Sequence, residues 1–129
     1  MLSNYTPVAT VPTADIARAR AFYEGTLGAG DGAQVAETGE VFYTCGTSGF
    51  LLYASQFAGT NQATTMSFQL DDAAFDAEVA TLRDAGVSFD TFELEGLEWV
   101  DGVAVGGGAK AVWFKDPDGN ILNLTTMRA

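Results

Sequence analysis

The chain reads twice, and that constrains its fold more than any other feature. Residues 7–11 read as a strand, an amphipathic helix follows, and three further strands are expected at 34–38, 41–45 and 50–54. The second half repeats the order, with a strand at 64–70, a helix, and strands at 87–92, 110–114 and 121–126. Asp15 matches Asp72, Gly28 matches Gly86, and the strand from Phe50 to Tyr53 matches that from Ile121 to Leu124. Each helix carries an apolar stripe that must be covered: Ile16, Ala19, Tyr23 and Leu27 in the first, Phe75, Val79 and Leu82 in the second. Asp15 opens the first helix and either Asp71 or Asp72 the second, because a carboxylate there accepts from amides the helix leaves unpaired. Gly28 and Gly86 end them.

One stretch breaks the repeat. Residues 93–108, ELEGLEWVDGVAVGGG, are an insertion in the second half, rich in glycine and carboxylates around Trp99. It is expected to be a loop, either a lid or a solvated connection with Trp99 packed on the core. At 129 residues the whole chain, 1–129, fits one domain with repeat modules at about 5–55 and 63–127. Its apolar runs are too short to span a membrane. The opening MLSNYTPVAT lacks a secretory pattern and the lone Cys45 has no partner for an internal disulfide, so a cytoplasmic location is expected. Seventeen acidic against six basic side chains give a net charge of -11, which repels nucleic acid and anionic membranes. The same field suits a cationic small molecule, or serves solubility alone.

Two strings, VPTADIARARAFYEGTLG (Val11 to Gly28) and VWFKDPDGNILNL (Val112 to Leu124), resemble the glyoxalase, bleomycin-resistance and extradiol-dioxygenase superfamily, the vicinal oxygen chelate proteins. The resemblance implies an α+β fold in which two βαβββ modules form a curved, cup-shaped mixed sheet, with helices on the outer face and a cavity on the inner one. It also implies a homodimer. The DPDGN turn itself needs no ligand, since Pro117, Gly119 and the two aspartates suit a tight turn before the last strand.

Catalytic members of that superfamily hold a divalent metal in the cup through His, Gln or Glu at four positions. Matching motif to motif places these at about Thr6, Leu52, Thr65 and Asn123. The chain has no histidine, and a leucine, two threonines and an asparagine make a poor donor set, so no metal and no other cofactor is expected. Strand alternation from those positions puts Thr6, Val8 and Thr10, then Phe50 and Leu52, then Thr65, Ser67 and Gln69, and finally Ile121, Asn123 and Thr125 on the cup lining. Such a lining suits a small-molecule pocket, with Thr6, Val8, Phe50, Leu52, Thr65, Ser67, Trp99 and Asn123 as the ligand contacts; Tyr43, Tyr53, Phe92 and Trp113 are further aromatic candidates. The resulting expectation is a metal-independent binding protein that sequesters an aromatic or cationic ligand. The alternative is a cofactor-free lyase or isomerase with Glu93, Glu95, Glu98 or Asp101 as a desolvated general base.

Overall fold

The computed structural model describes residues 1–126; Met127, where the second expected module ends, lies outside the described residues. The fold is α+β, and the chain divides into two units. One comprises Met1–Thr65 with Asp116–Asn120, the other Met66–Lys115 and the chain from Ile121 on.

In the first unit, β1 (Ala9–Thr13), β2 (Ala33–Gln34), β3 (Val41–Cys45) and β4 (Ser48–Ala54) form a sheet in the order β1-β4-β3-β2. β1 runs parallel to β4, and the other pairs are antiparallel. Helix α1 (Ile16–Arg20) continues into a π-helical turn, Ala21–Thr26, in which the Leu27 N–H donates to the Phe22 carbonyl five residues back at 2.9 Å. As expected, the Asp15 carboxylate caps the helix by accepting from the Arg18 N–H at 3.1 Å, and Gly28 follows it at φ +66°. One sheet face carries Val11, Val41, Tyr43, Phe50 and Leu52, all buried with Ala19 and Tyr23 of the helical segment. The Tyr23 ring lies 5.2 Å from Phe50, and Tyr43 stacks on Phe50 at 4.9 Å. Burying each such side chain contributes about 1.5–3 kcal/mol, which is what fixes this face of the sheet towards the helix.

The turn Asp116–Asn120 lies inside the second sequence repeat but belongs to this unit. Asp116 accepts from the Tyr23 hydroxyl at 2.7 Å, from the Asn120 side chain at 2.8 Å, and from the backbone N–H groups of Asp118 and Asn120 at 2.9 Å. Asp118 accepts from the Thr13 hydroxyl at 2.6 Å, the Ala14 N–H at 2.9 Å and the Arg18 guanidinium at 2.7 Å. The DPDGN motif is therefore a clasp on the β1–α1 junction, held by buried carboxylates whose acceptor capacity is well used.

In the second unit, β5 (Thr64–Leu70), β6 (Glu98–Val100), β7 (Val103–Gly106), β8 (Ala109–Lys115) and β9 (Ile121–Thr126) are ordered β5-β9-β8-β7-β6. The order repeats that of the first sheet with one strand added. Helix α2 (Asp72–Asp84) is capped by Asp71, which accepts from the Ala74 N–H at 2.8 Å. It ends as a Schellman motif: the N–H groups of Gly86 and Val87 donate to the carbonyls of Arg83 and Leu82, both at 3.0 Å, with Gly86 at φ +88°. Its stripe of Phe75, Val79 and Leu82 is buried, and the helix packs on β9, whose Leu122 and Leu124 are buried too.

Three expectations about the elements change. Within the stretch 93–108, expected to be a loop, residues 98–106 are ordered as two strands and a turn: β6 and β7 pair as an antiparallel hairpin through Asp101 at φ +50° and Gly102 at φ +77°. Residues 87–92 form no strand; only Asp90 bridges to Trp113, donating its N–H to the Trp113 carbonyl at 2.8 Å. β1 starts at Ala9 and β2 shrinks to Ala33–Gln34, so Thr6 and Val8 precede the sheet. Among the described residues, no helix is long and apolar enough to cross a membrane.

Candidate functional site

Strand alternation sets what each sheet offers on the side away from its helix. On the second unit's sheet, Leu122 and Leu124 are buried beneath α2, so Asn123 between them points to the opposite face. Trp113 on β8 stands directly across from Asn123. Ser67 on β5 joins the same row by donating its hydroxyl to Asn123 Oδ1 at 2.5 Å. The Asn123 amide nitrogen donates to the carbonyls of Val112 at 3.1 Å and Leu124 at 3.3 Å. A polar pair thus stands beside an indole on one face of the sheet.

Two more rings join Trp113. Phe92 packs edge-on to it with centroids 4.8 Å apart, and Trp99, carried by the β6–β7 hairpin, lies 5.3 Å from Phe92 and 6.0 Å from Trp113. Both tryptophans are half-buried and Phe92 is 42% exposed. The three rings leave part of their surface to solvent, and their quadrupoles favour stacking partners and cations. Three of the expected ligand contacts, Ser67, Trp99 and Asn123, lie in this group. Trp113 and Phe92, both among the further aromatic candidates, complete the group; Trp99 reaches them because the hairpin turn at Asp101-Gly102 folds the inserted segment back along β8.

The remaining expected contacts fall elsewhere. Phe50 and Leu52 were expected on the cup lining with Thr10, but β1 and β4 pair Thr10 with Leu51, not with Leu52. Phe50 and Leu52 sit at 1% and 0% exposure on the helix-covered face. The cause is a slip of one residue in matching β4 to β9, which exchanges the two faces of a strand. Leu51 and Tyr53, both half-exposed, occupy the face assigned to them. Tyr43 is core as well. Thr6 and Val8 are exposed and outside β1. Thr65 accepts from the Asn61 side chain at 3.2 Å, and it is Ser67 rather than Thr65 that meets Asn123.

The four positions at which the superfamily's metal ligands were expected do not fit a divalent ion. Leu52 is buried in the core, Leu51, which takes its place on the assigned face, has no donor either, and the Asn123 oxygen is taken by Ser67. Such ions seek imidazole, thiolate or carboxylate, and among the described residues no three His, Cys, Asp or Glu side chains are grouped to hold one. The acid–base alternative needed one of Glu93, Glu95, Glu98 and Asp101 to be buried, and all four are exposed. The first unit has a shallow recess of about 350 Å³ lined by Thr13, Ala14, Ala54, Ser55 and Gln56, and it includes none of the expected ligand contacts.

Solved structures share this arrangement of elements. An integron cassette protein, HFX_CASS4, from the mobile metagenome of the Halifax Harbour sewage outfall superposes with a TM-score of 0.69 at 19% identity, over 95% of this chain and 100% of that one. The lactoylglutathione lyase of Agrobacterium tumefaciens gives a TM-score of 0.68 at 19% identity, over 95% and 92% of the two chains. The fosfomycin resistance protein FosX of Mesorhizobium loti gives 0.64 at 18% identity, over 96% and 92%. No curated protein matches the sequence. Likenesses at these identities establish the fold, and the family follows from the sequence itself, because the model of one superfamily matches residues 6–124, nearly the whole chain. The protein belongs to the Glyoxalase/Bleomycin resistance protein/Dioxygenase superfamily.

Proposed function

We propose that this protein is a metal-independent small-molecule-binding member of the superfamily, a cytoplasmic homodimer that sequesters an aromatic or cationic ligand and binds neither nucleic acid nor membrane. The observation that carries the reading is the half-exposed group of Phe92, Trp99 and Trp113 beside the Ser67–Asn123 pair. Rings in this disposition offer faces to a flat ligand, and a ring face attracts a cation by about 0.5–2 kcal/mol according to how dry the contact is. The net charge of -11 raises the local concentration of a cationic ligand and keeps anions away. The lyase or isomerase reading lacks its proposed general base, because Glu93, Glu95, Glu98 and Asp101 are all exposed, and the buried Asp116 and Asp118 carboxylates are engaged in the clasp. The activities named for the structural neighbours do not transfer to this chain at identities below 20%.

The test is tryptophan fluorescence, checked by calorimetry, with a panel of planar aromatic cations that includes proflavine. Saturable quenching at micromolar concentrations is expected, and Trp99→Ala should weaken binding roughly tenfold, the equivalent of about 1.4 kcal/mol. Absence of saturable binding across the panel, or binding that Trp99→Ala and Trp113→Ala leave untouched, would overturn the reading.

A further inference from the structure

The hydrogen bonds around Asn123 fix the polarity of the group next to it. Carbonyl oxygens only accept, so the two that Asn123 faces, those of Val112 and Leu124, require its amide nitrogen on their side. That leaves Oδ1 pointing at Ser67. An amide oxygen also only accepts, so the hydrogen in the 2.5 Å contact comes from the Ser67 hydroxyl. A hydroxyl has one hydrogen, and this one is spent inside the protein. Ser67 is exposed, and among the described residues its side chain makes no other hydrogen bond. What it presents to solvent is therefore lone pairs, with no hydrogen to offer.

Ser67, Asn123 and Trp113 stand in one row on three adjacent strands. The acceptor and the aromatic group are two strand spacings apart, about 9.6 Å. A ligand lying on the Trp113 group and reaching Ser67 thus spans two or three fused rings. At its far end, an N–H meets a waiting acceptor, whereas a carbonyl or carboxylate would set lone pair against lone pair.

We propose that Ser67, oriented by Asn123, is the specificity-determining group of this site and selects planar aromatic ligands that carry an N–H donor, amino or protonated ring nitrogen, over isosteres that lack one. This rests on the binding role argued above. Ser67 contacts the ligand, and Asn123 is the positioning residue.

The experiment compares proflavine with its fully N-methylated acridinium analogue, which keeps the ring system and the positive charge but has no N–H. Both are titrated by calorimetry into the wild type, Ser67→Ala and Ser67→Thr. The wild type should prefer proflavine by roughly 3- to 10-fold, the worth of one hydrogen bond. Ser67→Ala should erase the preference by weakening proflavine alone, and Ser67→Thr, which keeps a hydroxyl, should retain it. Equal affinities for the two dyes in the wild type, with both still weakened about tenfold in Trp99→Ala, would overturn the proposal and leave the aromatic site standing. A preference that survives Ser67→Ala would also overturn it. No binding of either dye would remove the aromatic site and this proposal together.

Discussion

The Tyr23 hydroxyl donates to Asp116 Oδ2 at 2.7 Å, joining the first helix to a turn 93 residues further along the chain. Burial raises the Tyr23 phenol well above its ordinary range, and the neighbouring Asp116 charge adds to the effect. Tyr43 is raised as well, by burial and by Glu24. A phenol whose folded-state pKa is raised binds its proton more tightly when folded. Below about pH 10 both states keep that proton and stability does not depend on it; above pH 10 the unfolded chain releases it and stability falls steadily. Denaturant midpoints should therefore be flat from neutrality to about pH 9 as far as these groups go, then decline. Tyr23→Phe should start lower, by about 1–3 kcal/mol for a buried carboxylate deprived of a donor. It should also decline less steeply above pH 10. An equally steep alkaline limb in Tyr23→Phe would show that this phenol does not titrate with unfolding.

Asp118 and Arg18 form one ion pair with unequal stakes. The Asp118 side chain is 2% exposed and that of Arg18 is 48% exposed. Asp118→Ala strips acceptors from Thr13 and Ala14 as well as from Arg18, so it should cost about 3 kcal/mol. Arg18→Ala leaves Asp118 with its two other donors and removes a charge that is half in water, so about 1 kcal/mol or less is expected. Urea denaturation of the two variants checks the ratio. Similar losses would mean that the guanidinium, and not the hydroxyl and amide, holds the clasp.

What the sequence disclosed was whatever local chemistry determines. Asp15, Asp71 and Gly86 do what carboxylates and glycine do at helix ends, and the residues of the DPDGN turn suffice to build it. What failed depended on counting. The face of β4 turned on a repeat alignment, and one residue of slip moved Phe50 and Leu52 from the assumed lining into the core. The aromatic residues Phe92, Trp99 and Trp113 were legible as candidates, but their grouping was not, for another reason. Trp99 and Trp113 are 14 residues apart in sequence, and two turns, at Asp101-Gly102 and at Gly107-Gly108, bring their strands side by side with β7 between them. Glycine-rich composition argued for a loop while the Asp101-Gly102 dipeptide, between Val100 and Val103, argued for a hairpin.

That turn makes Gly102 a handle on the site. Its φ of +77° is a conformation that side chains disfavour, although an added methyl would meet nothing closer than the Phe89 Cβ at 3.6 Å. Gly102→Ala should therefore cost about 1–2 kcal/mol through the backbone alone. The loss should appear in the hairpin: a weakened near-ultraviolet circular dichroism signal from Trp99 and Trp113, and faster exchange of the β6–β7 amides. Asp101→Asn should be neutral, since asparagine tolerates positive φ. Unchanged aromatic dichroism in Gly102→Ala would mean that Trp99 is held by its ring contacts without help from the turn.

Asn123→Asp separates the two ends of the Asn123 amide. An aspartate in that place still accepts from Ser67, but it sets oxygen against the carbonyls of Val112 and Leu124 that now receive N–H groups. Asn123 is only 6% exposed, so a negative charge there would be both desolvated and repelled. Burial and repulsion both raise the pKa of the introduced carboxyl above its unfolded value of about 3.9. The sign follows: the variant's deficit should be smallest at the acid end, where the carboxyl is mostly protonated in both states and can donate, should grow as pH rises above about 4, and should level off above the folded-state value. Thermal melts of both proteins from pH 3.5 to 8 would read the difference. A deficit independent of pH would place the amide nitrogen away from the two carbonyls and return the Ser67 hydrogen to solvent.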